Sequence, residues 1–143
     1  MKLQDVQEQL AKDFELHKDK LDQHLNDIPN LLNKWFCIAS QERLVLKDYQ
    51  RKWKTLFWAR RELYMGNAPD DALKAEPMNR KILKGDVGIW LDADPELNKL
   101  QAQIDICEEK VAHIERNLKQ LDRRGFEIKS QLDFWKWSGG QEY

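Results

Sequence analysis

The chain has 143 residues, of which 41% are hydrophobic and 34% charged, and its formal net charge is −1. This size suits one domain, and the composition favours helices around a narrow core over a large globular core. We find neither the apolar run of a signal peptide nor about 18 consecutive apolar residues for a membrane span, so we expect a cytoplasmic protein. The two cysteines, Cys37 and Cys107, lie on apolar helical faces, which favours small buried side chains over a disulfide or a metal site.

Apolar residues recur at helical spacing through the first 66 residues. The pattern predicts an amphipathic helix over residues 2–27 and, after a break or sharp kink at Pro29, a second helix to about Met65. Asn26 or Asp27 is the expected cap of the second helix, and Gly66 is its expected end. These helices form the predicted N-terminal region, residues 1–66.

Residues 67–93 are rich in glycine, proline and aspartate and predict an irregular connector. Several of its apolar residues, including Ile82, Val87 and Leu91, predict that it docks on the helices as an extended segment or short turn. Asp94 and Pro95 then predict the start of a long helix over residues 94–137. A short tail, residues 138–143, follows.

One apolar seam runs along the whole C-terminal helix. Its residues follow one another at steps of three and four, the spacing of a coiled coil, and such a seam must be buried against another helix. We therefore predict an all-α protein whose C-terminal helix assembles with other copies. Gly125 interrupts the seam, which we interpret as a close approach of helices, with space for Phe126 as the alternative. The predicted interface between subunits comprises Leu97, Leu100, Ile104, Val111, Ile114, Leu118, Leu121, Gly125, Ile128, Leu132 and Trp135.

A concentrated positive charge lies in the second helix, where residues 43–61 hold seven basic residues and one acidic residue, Asp48. Most of the basic residues follow one another at steps of three and four and form a stripe that also contains Trp58. A row of cations matches a phosphate backbone, and an aromatic ring in the row can stack on an unpaired base. A solvated basic face, and packing of Trp58 against a neighbouring subunit, are the open alternatives. The predicted single-stranded DNA-binding residues are Arg43, Lys47, Arg51, Lys54, Trp58, Arg60 and Arg61, with Arg80, Lys81 and Lys84 as a second, weaker cluster.

No pattern typical of catalysis or of a cofactor site stands out. The three histidines, His17, His24 and His113, have no His or Cys at metal-ligand spacing, so we expect no metal site. The segment 85–88 lacks the Gly-Lys-Ser/Thr ending of a phosphate-binding loop. We therefore assign no catalytic residue and no cofactor.

Several segments resemble the UvsY family of recombination mediators of T4-like bacteriophages. Residues 56–66 resemble the segment L-K-A-R-L-D-Y-Y-S-G of that family, and residues 124–129 resemble its R-G-F-x-I-K segment. Residues 1–8, 34–35 and 83–94 match in order, as does Phe134 before the closing glycines. Arg60 matches the arginine of L-K-A-R, which the family links to DNA binding, whereas Trp58 stands where the family has lysine.

The resemblance implies a non-enzymatic protein that forms a heptameric ring or open barrel and binds single-stranded DNA. It also implies help for a UvsX-type recombinase in loading onto strands covered by the phage single-strand binding protein. We expect a ring to repeat the basic stripe, so that affinity arises from effective concentration and the strand is wrapped. The alternative is a structural helical oligomer or assembly adaptor that binds an acidic protein partner and no nucleic acid.

Overall fold

The structure, a computed structural model, describes residues 1–66 and 83–139, and every regular element within these two ranges is helical. The α-helices are α1 (Leu3–Asp13), α2 (Leu21–Tyr64), α3 (Val87–Asp92) and α4 (Pro95–Trp137), and a short 3₁₀ turn (Lys18–Lys20) precedes α2. The all-α prediction is therefore confirmed.

The first break in the chain comes earlier than the sequence predicts. α1 ends at Asp13 and α2 begins at Leu21. The apolar spacing hides this break, because Phe14 and Leu21 stand seven residues apart, a step that also fits two turns of a continuous helix. Within the break the backbone N–H of His17 donates to Nε2 of His24 at 2.9 Å, so a side chain satisfies this donor outside the helix. The single N-terminal helix predicted from the spacing is thus two elements.

Pro29 lies inside α2, so the predicted break with a cap at Asn26 or Asp27 is wrong. A proline within a helix leaves the carbonyl four residues earlier, here that of Leu25, without its donor and costs about 3 kcal/mol. Pro29 is exposed, which gives water access to that carbonyl. Burial of apolar residues of α2, beginning with Leu21, offsets the remaining cost.

The chain divides into two compact units. The first unit comprises Met1–Arg43 and Cys107–Tyr143, and the second comprises Leu44–Ile106. Each unit takes part of α2 and part of α4. The division therefore does not follow the ranges 1–66 and 94–137 drawn from the sequence.

In the first unit, α1 packs with parts of α2 and α4. The core consists of Val6 and Leu10 from α1, Trp35 and Ala39 from α2, and Ile114 and Leu118 from α4. Trp35 is fully buried, and its indole N–H donates to Asp13 Oδ2 at 3.1 Å, which compensates the polar group for its burial. Of the two cysteines, Cys107 is buried as predicted, but Cys37 is exposed.

In the second unit, α3 packs against the neighbouring parts of α2 and α4. The core consists of Tyr64, Val87, Leu91 and Leu97, with Trp53, Leu56, Phe57 and Met65 partly buried against it. Val87 and Leu91 are four residues apart and lie on one side of α3, whereas Ile89 and Trp90 are exposed. The described part of the connector thus docks through a short helix, and the prediction of an extended segment or short turn is wrong there. Ile82, also expected to dock, lies outside the described residues.

The ends of the long helices follow local signals in the sequence. Asp94 Oδ1 accepts hydrogen bonds from the backbone N–H groups of Glu96 at 2.9 Å and Leu97 at 3.1 Å. Asp94 therefore caps α4, and Pro95 occupies the first helical position, where a missing N–H costs nothing. Gly66 follows α2 with a φ of 78°, a left-handed conformation that glycine adopts without steric cost. Both end signals are confirmed.

The apolar seam of α4 is buried within the single chain. Its buried members are Leu97, Ile104, Cys107, Val111, Ile114, Leu118, Leu121 and Ile128, and its half-buried members are Leu100, Gly125, Leu132 and Trp135. In each unit the residues packed against the seam come from other helices of the same chain. The seam therefore does not need neighbouring subunits for its burial, because the spacing predicts that another helix covers it and does not say whose helix. Assembly itself stays a prediction.

Gly125 interrupts the seam where α4 passes close to α2 within the first unit. A Cβ at Gly125 would lie 3.4 Å from Cδ1 of Ile28, at the tight end of ordinary van der Waals contact. Phe126 is 76% exposed, so it needs no space that a glycine would provide. Two helices of one chain thus approach closely at Gly125, although the space would also admit a Cβ.

Candidate nucleic-acid interface

One face of α2 in the second unit carries most of the predicted DNA-binding residues. We define the basic stripe as Lys47, Arg51, Lys54, Trp58 and Arg61. The steps between them place their side chains within about 40° of one line along the helix, over a length of about 21 Å. Lys47, Arg51, Lys54 and Trp58 are exposed, and Arg61 is half-buried. The helical period therefore brings these five residues together.

The lysines and the first arginine of the basic stripe are not neutralised by neighbours. In the described part of the chain, no ion pair involves Lys47, Arg51 or Lys54. Asp48, the one acid of this block, pairs instead with Lys52 at 3.1 Å. The stripe therefore keeps a positive potential that attracts phosphate groups.

Trp58 is the exposed ring of the basic stripe, with 58% of the residue surface accessible. The guanidinium carbon of Arg61 lies 5.3 Å from the centre of this ring, a cation–π distance. Trp53 and Phe57 differ, because they stack on each other at 5.0 Å and pack against the core of the second unit. The intrachain core therefore does not require the Trp58 ring, which leaves it accessible to an unpaired base.

Arg43, predicted as the first member of the stripe, lies in the first unit and pairs within it. Its Nε and Nη2 both donate to Glu115 Oε1, at 3.1 and 2.7 Å. Two donors of the guanidinium thus converge on one carboxylate oxygen. The structure therefore gives Arg43 an acidic partner that the sequence pattern does not reveal.

Arg60, also predicted to bind DNA, lies away from the basic stripe. It stands two residues after Trp58 and therefore about 200° around the helix. Arg60 Nε donates to Asp94 Oδ2 at 2.6 Å, and the Arg60 side chain is only 16% exposed. Arg60 is thus next to Arg61 in the sequence but lies on a different side of the helix.

Asp94 and Tyr64 are the residues of this region that the DNA-binding prediction missed. The Tyr64 hydroxyl donates to Asp94 Oδ2 at 2.5 Å, and the Asp94 side chain is fully buried. Burial alone would raise the pKa of Asp94, but hydrogen bonds from Tyr64, Arg60 and the Leu97 N–H outweigh it and hold the pKa below its ordinary value. Burial and the hydrogen bond to Asp94 raise the pKa of Tyr64. The available signal is the step of four from Arg60 to Tyr64, which places both on one side of the helix, away from the line of the stripe.

The second predicted cluster is described only in part. Lys84 is exposed before α3. Arg80 and Lys81 lie outside the described residues. Whether Arg80, Lys81 and Lys84 form one cluster therefore stays a prediction.

Three aromatic residues form a further exposed surface on the last turns of α4. We define the aromatic face as Phe126, Phe134 and Trp137, which are 76%, 61% and 82% exposed. Their steps of eight and three place them on one side of the helix, opposite the buried Leu121 and Ile128. The rings of Phe134 and Trp137 lie 6.3 Å apart. Exposed apolar groups that cluster in this way are typical of an interaction surface. The apolar spacing of this helix predicts the buried seam and does not predict this second face.

Three further findings concern metal sites, the histidines and membrane-spanning helices. Across residues 1–66 and 83–139, no group of three or more His, Cys, Asp or Glu side chains is placed to hold a metal ion. The rings of His17 and His24 stack on each other with centres 5.8 Å apart. No helix in the described ranges combines the length and apolar character needed to cross a membrane.

The fold is similar to that of three crystal structures of the bacteriophage T4 recombination mediator protein UvsY. Lattice type II has a TM-score of 0.84 at 24% identity and covers 96% of this chain and 98% of that chain. Lattice type I has a TM-score of 0.83 at 23% identity, with coverages of 94% and 99%. Lattice type IV has a TM-score of 0.81 at 22% identity, with coverages of 97% and 100%. At these identities the likeness shows a shared fold.

A comparison with curated protein sequences found no match. A family model described as "Recombination, repair and ssDNA binding protein UvsY" matches residues 9–141. This match spans nearly the whole chain and includes the basic stripe, the cap of α4 and the exposed aromatic face. The chain therefore belongs to the UvsY family of recombination, repair and single-stranded DNA-binding proteins.

Proposed function

We propose that this protein is a non-enzymatic recombination mediator that binds single-stranded DNA through the basic stripe. The observation that carries the proposal is an exposed indole, Trp58, in a row of cations without acidic partners in the described part of the chain. Phosphates bind the cations while an unpaired base stacks on the ring. Neither contact reads the edge of a base, so binding is independent of sequence.

The expected energetics follow from these contacts. Stacking of one base on an aromatic side chain contributes about 1–3 kcal/mol. Each phosphate contact to a single strand changes log K by about 0.7 per decade of salt concentration. Three exposed cations, with or without Arg61, therefore predict a slope of about −2 to −3.

We extend the proposal to assembly of several copies. The aromatic face supports it, because three large rings remain exposed in one chain and a second copy would remove them from water. The form that the family resemblance implies is a heptameric ring or open barrel. Repeating the basic stripe around such an assembly raises affinity for a long strand through effective concentration.

The proposed partners are those that the resemblance implies. Wrapping holds the strand in a form that disfavours the phage single-strand binding protein and favours a UvsX-type recombinase. The chain thereby helps the recombinase load onto covered strands in the cytoplasm of the host cell. A DNA-binding monomer that promotes recombinase nucleation normally would contradict this mechanism.

Titration of a labelled oligothymidylate over a series of salt concentrations tests the binding site. We expect a steep loss of affinity with salt, and Lys54→Ala should make the slope about 0.7 less steep. Lys52→Ala is the matched control, since Lys52 is exposed on the same helix but pairs with Asp48 off the stripe. Absence of binding at low salt would overturn the function and favour an acidic protein partner. Equal effects of the two lysine variants would overturn the site.

A further inference from the structure

Asp94 connects α2 to the first turn of α4 in the second unit. Its Oδ1 accepts the backbone N–H groups of Glu96 and Leu97, and its Oδ2 accepts the Tyr64 hydroxyl and Arg60 Nε. Arg60 Nη2 also donates to the Tyr64 oxygen at 3.3 Å, and its guanidinium carbon lies 5.4 Å from the centre of the Tyr64 ring. One buried carboxylate thus joins the end of one helix to the start of another. We call Arg60, Tyr64 and Asp94 the buried triad.

We propose that Arg60 supports DNA binding as a positioning residue that acts through Asp94 and does not contact the DNA. The inference rests on the proposed function of the basic stripe. Trp58 and Arg61 lie in the same turn of α2 as Arg60, so the anchor that holds this turn also sets where they are presented. The triad therefore maintains the part of the stripe that contains its aromatic ring.

The free-energy cost of moving Arg60 from Asp94 to a DNA phosphate supports this positioning role. If Arg60 left the triad to bind a phosphate, the fully buried Asp94 carboxylate would lose its cationic partner. Leaving one member of a buried ion pair uncompensated is far more costly than a screened surface contact is favourable. Arg60 also lies about 200° around the helix from Trp58, so one strand along the stripe does not reach it.

The Asp94→Asn variant gives opposite results for the two roles of Arg60. If Arg60 binds phosphate, removing the acid frees a cation, and affinity for the oligothymidylate should rise. If Arg60 positions the stripe, affinity should fall several-fold, as it should for Arg60→Gln. Asparagine caps helices as well as aspartate does, so this variant keeps the start of α4.

The salt slope separates positioning from direct contact. Arg60→Gln and Asp94→Asn should leave the slope unchanged, because the number of phosphate contacts stays the same, whereas Lys54→Ala should make it about 0.7 less steep. The double variant Arg60→Gln with Asp94→Asn should bind as the single variants do, and Arg60→Lys should restore part of the affinity. Urea denaturation of each variant gives its folded fraction, and a loss of stability alone would leave the affinity of the folded protein at the wild-type value.

The outcomes distinguish the two proposals. Wild-type protein without salt-dependent binding overturns the function of the stripe and with it the positioning role. Wild-type binding together with tighter binding by Asp94→Asn, or with a smaller slope in Arg60→Gln, overturns the positioning role alone. If Arg60→Gln does not fold, Asp94→Asn and the milder Tyr64→Phe decide the question, and Tyr64→Phe should show a smaller loss of affinity at an unchanged slope.

Discussion

The two units of this protein use charged side chains in different ways. In the first unit, four cations of the long helices meet acids of the same unit: Lys34 with Asp13, Arg43 with Glu115, Lys110 with Glu42 and Arg116 with Glu109. In the second unit, Lys47, Arg51 and Lys54 have no such partner among the described residues, whereas Arg60 on another side of the same helix does. The charge available to a ligand is therefore what remains after intrachain pairs have formed.

This difference predicts which property each charge controls. Removing a paired cation of the first unit should lower stability and leave DNA binding unchanged. Removing a member of the basic stripe should lower DNA binding and leave stability unchanged. Variants that affect both properties equally would break the comparison.

The largest effect is expected at Lys110. Its Nζ lies 2.7 Å from Glu42 Oε2, and each of these side chains is only 8% exposed. Lys110→Ala leaves the buried Glu42 carboxylate with only the Met1 amino group, 3.8 Å away, as a cationic partner, so the free energy of unfolding should fall by about 3 kcal/mol. Urea denaturation measures the loss, and the salt slope of DNA binding by folded protein should not change. Replacing the pair by Glu42→Gln with Lys110→Met should recover much of the stability, and a loss below about 1 kcal/mol in Lys110→Ala would contradict the prediction.

The second-largest effect is expected for Trp58, on the affinity for single-stranded DNA and not on stability. Trp58→Ala should weaken binding of single-stranded DNA by about 1–3 kcal/mol, roughly 5- to 140-fold. Because the ring is largely exposed, the free energy of unfolding should change by no more than about 0.5 kcal/mol. Trp53→Ala is the reverse case, since that ring packs on the core of the second unit and its loss should lower stability. Unchanged DNA binding with a reduced particle mass in Trp58→Ala would instead place this ring between copies.

The parts of the fold that the sequence predicts are those decided locally. The cap at Asp94 and the end at Gly66 depend on hydrogen bonds and backbone angles within a few residues, so the residue types suffice. The break between Phe14 and Leu21 and the passage of α2 through Pro29 depend on packing of distant segments. Apolar spacing predicts a continuous helix at the first place, and the residue types predict a new helix start at the second, but the structure has neither.

The candidate site shows the same limit. The basic stripe follows from the helical period alone, and the structure brings its five residues together as that period requires. The acidic partners of Arg60 and Arg43 are remote in sequence, so no local pattern reveals them: Asp94 is 34 residues from Arg60, and Glu115 is 72 residues from Arg43. Helix geometry alone places Arg60 away from the stripe, whereas the pairing of Arg43 with Glu115 requires the structure.

The smallest effect is expected at Arg43, which tests where the stripe begins. Both side chains of its pair with Glu115 are exposed by more than 40%, so Arg43→Gln should lower the free energy of unfolding by about 0.2–1 kcal/mol. If the pair holds the guanidinium, the salt slope of DNA binding should not change. If Arg43 binds phosphate, the slope should become about 0.7 less steep. Glu115→Gln sharpens the test, because it releases Arg43 without removing its charge: a steeper slope in that variant would show that the acid alone keeps Arg43 from the strand.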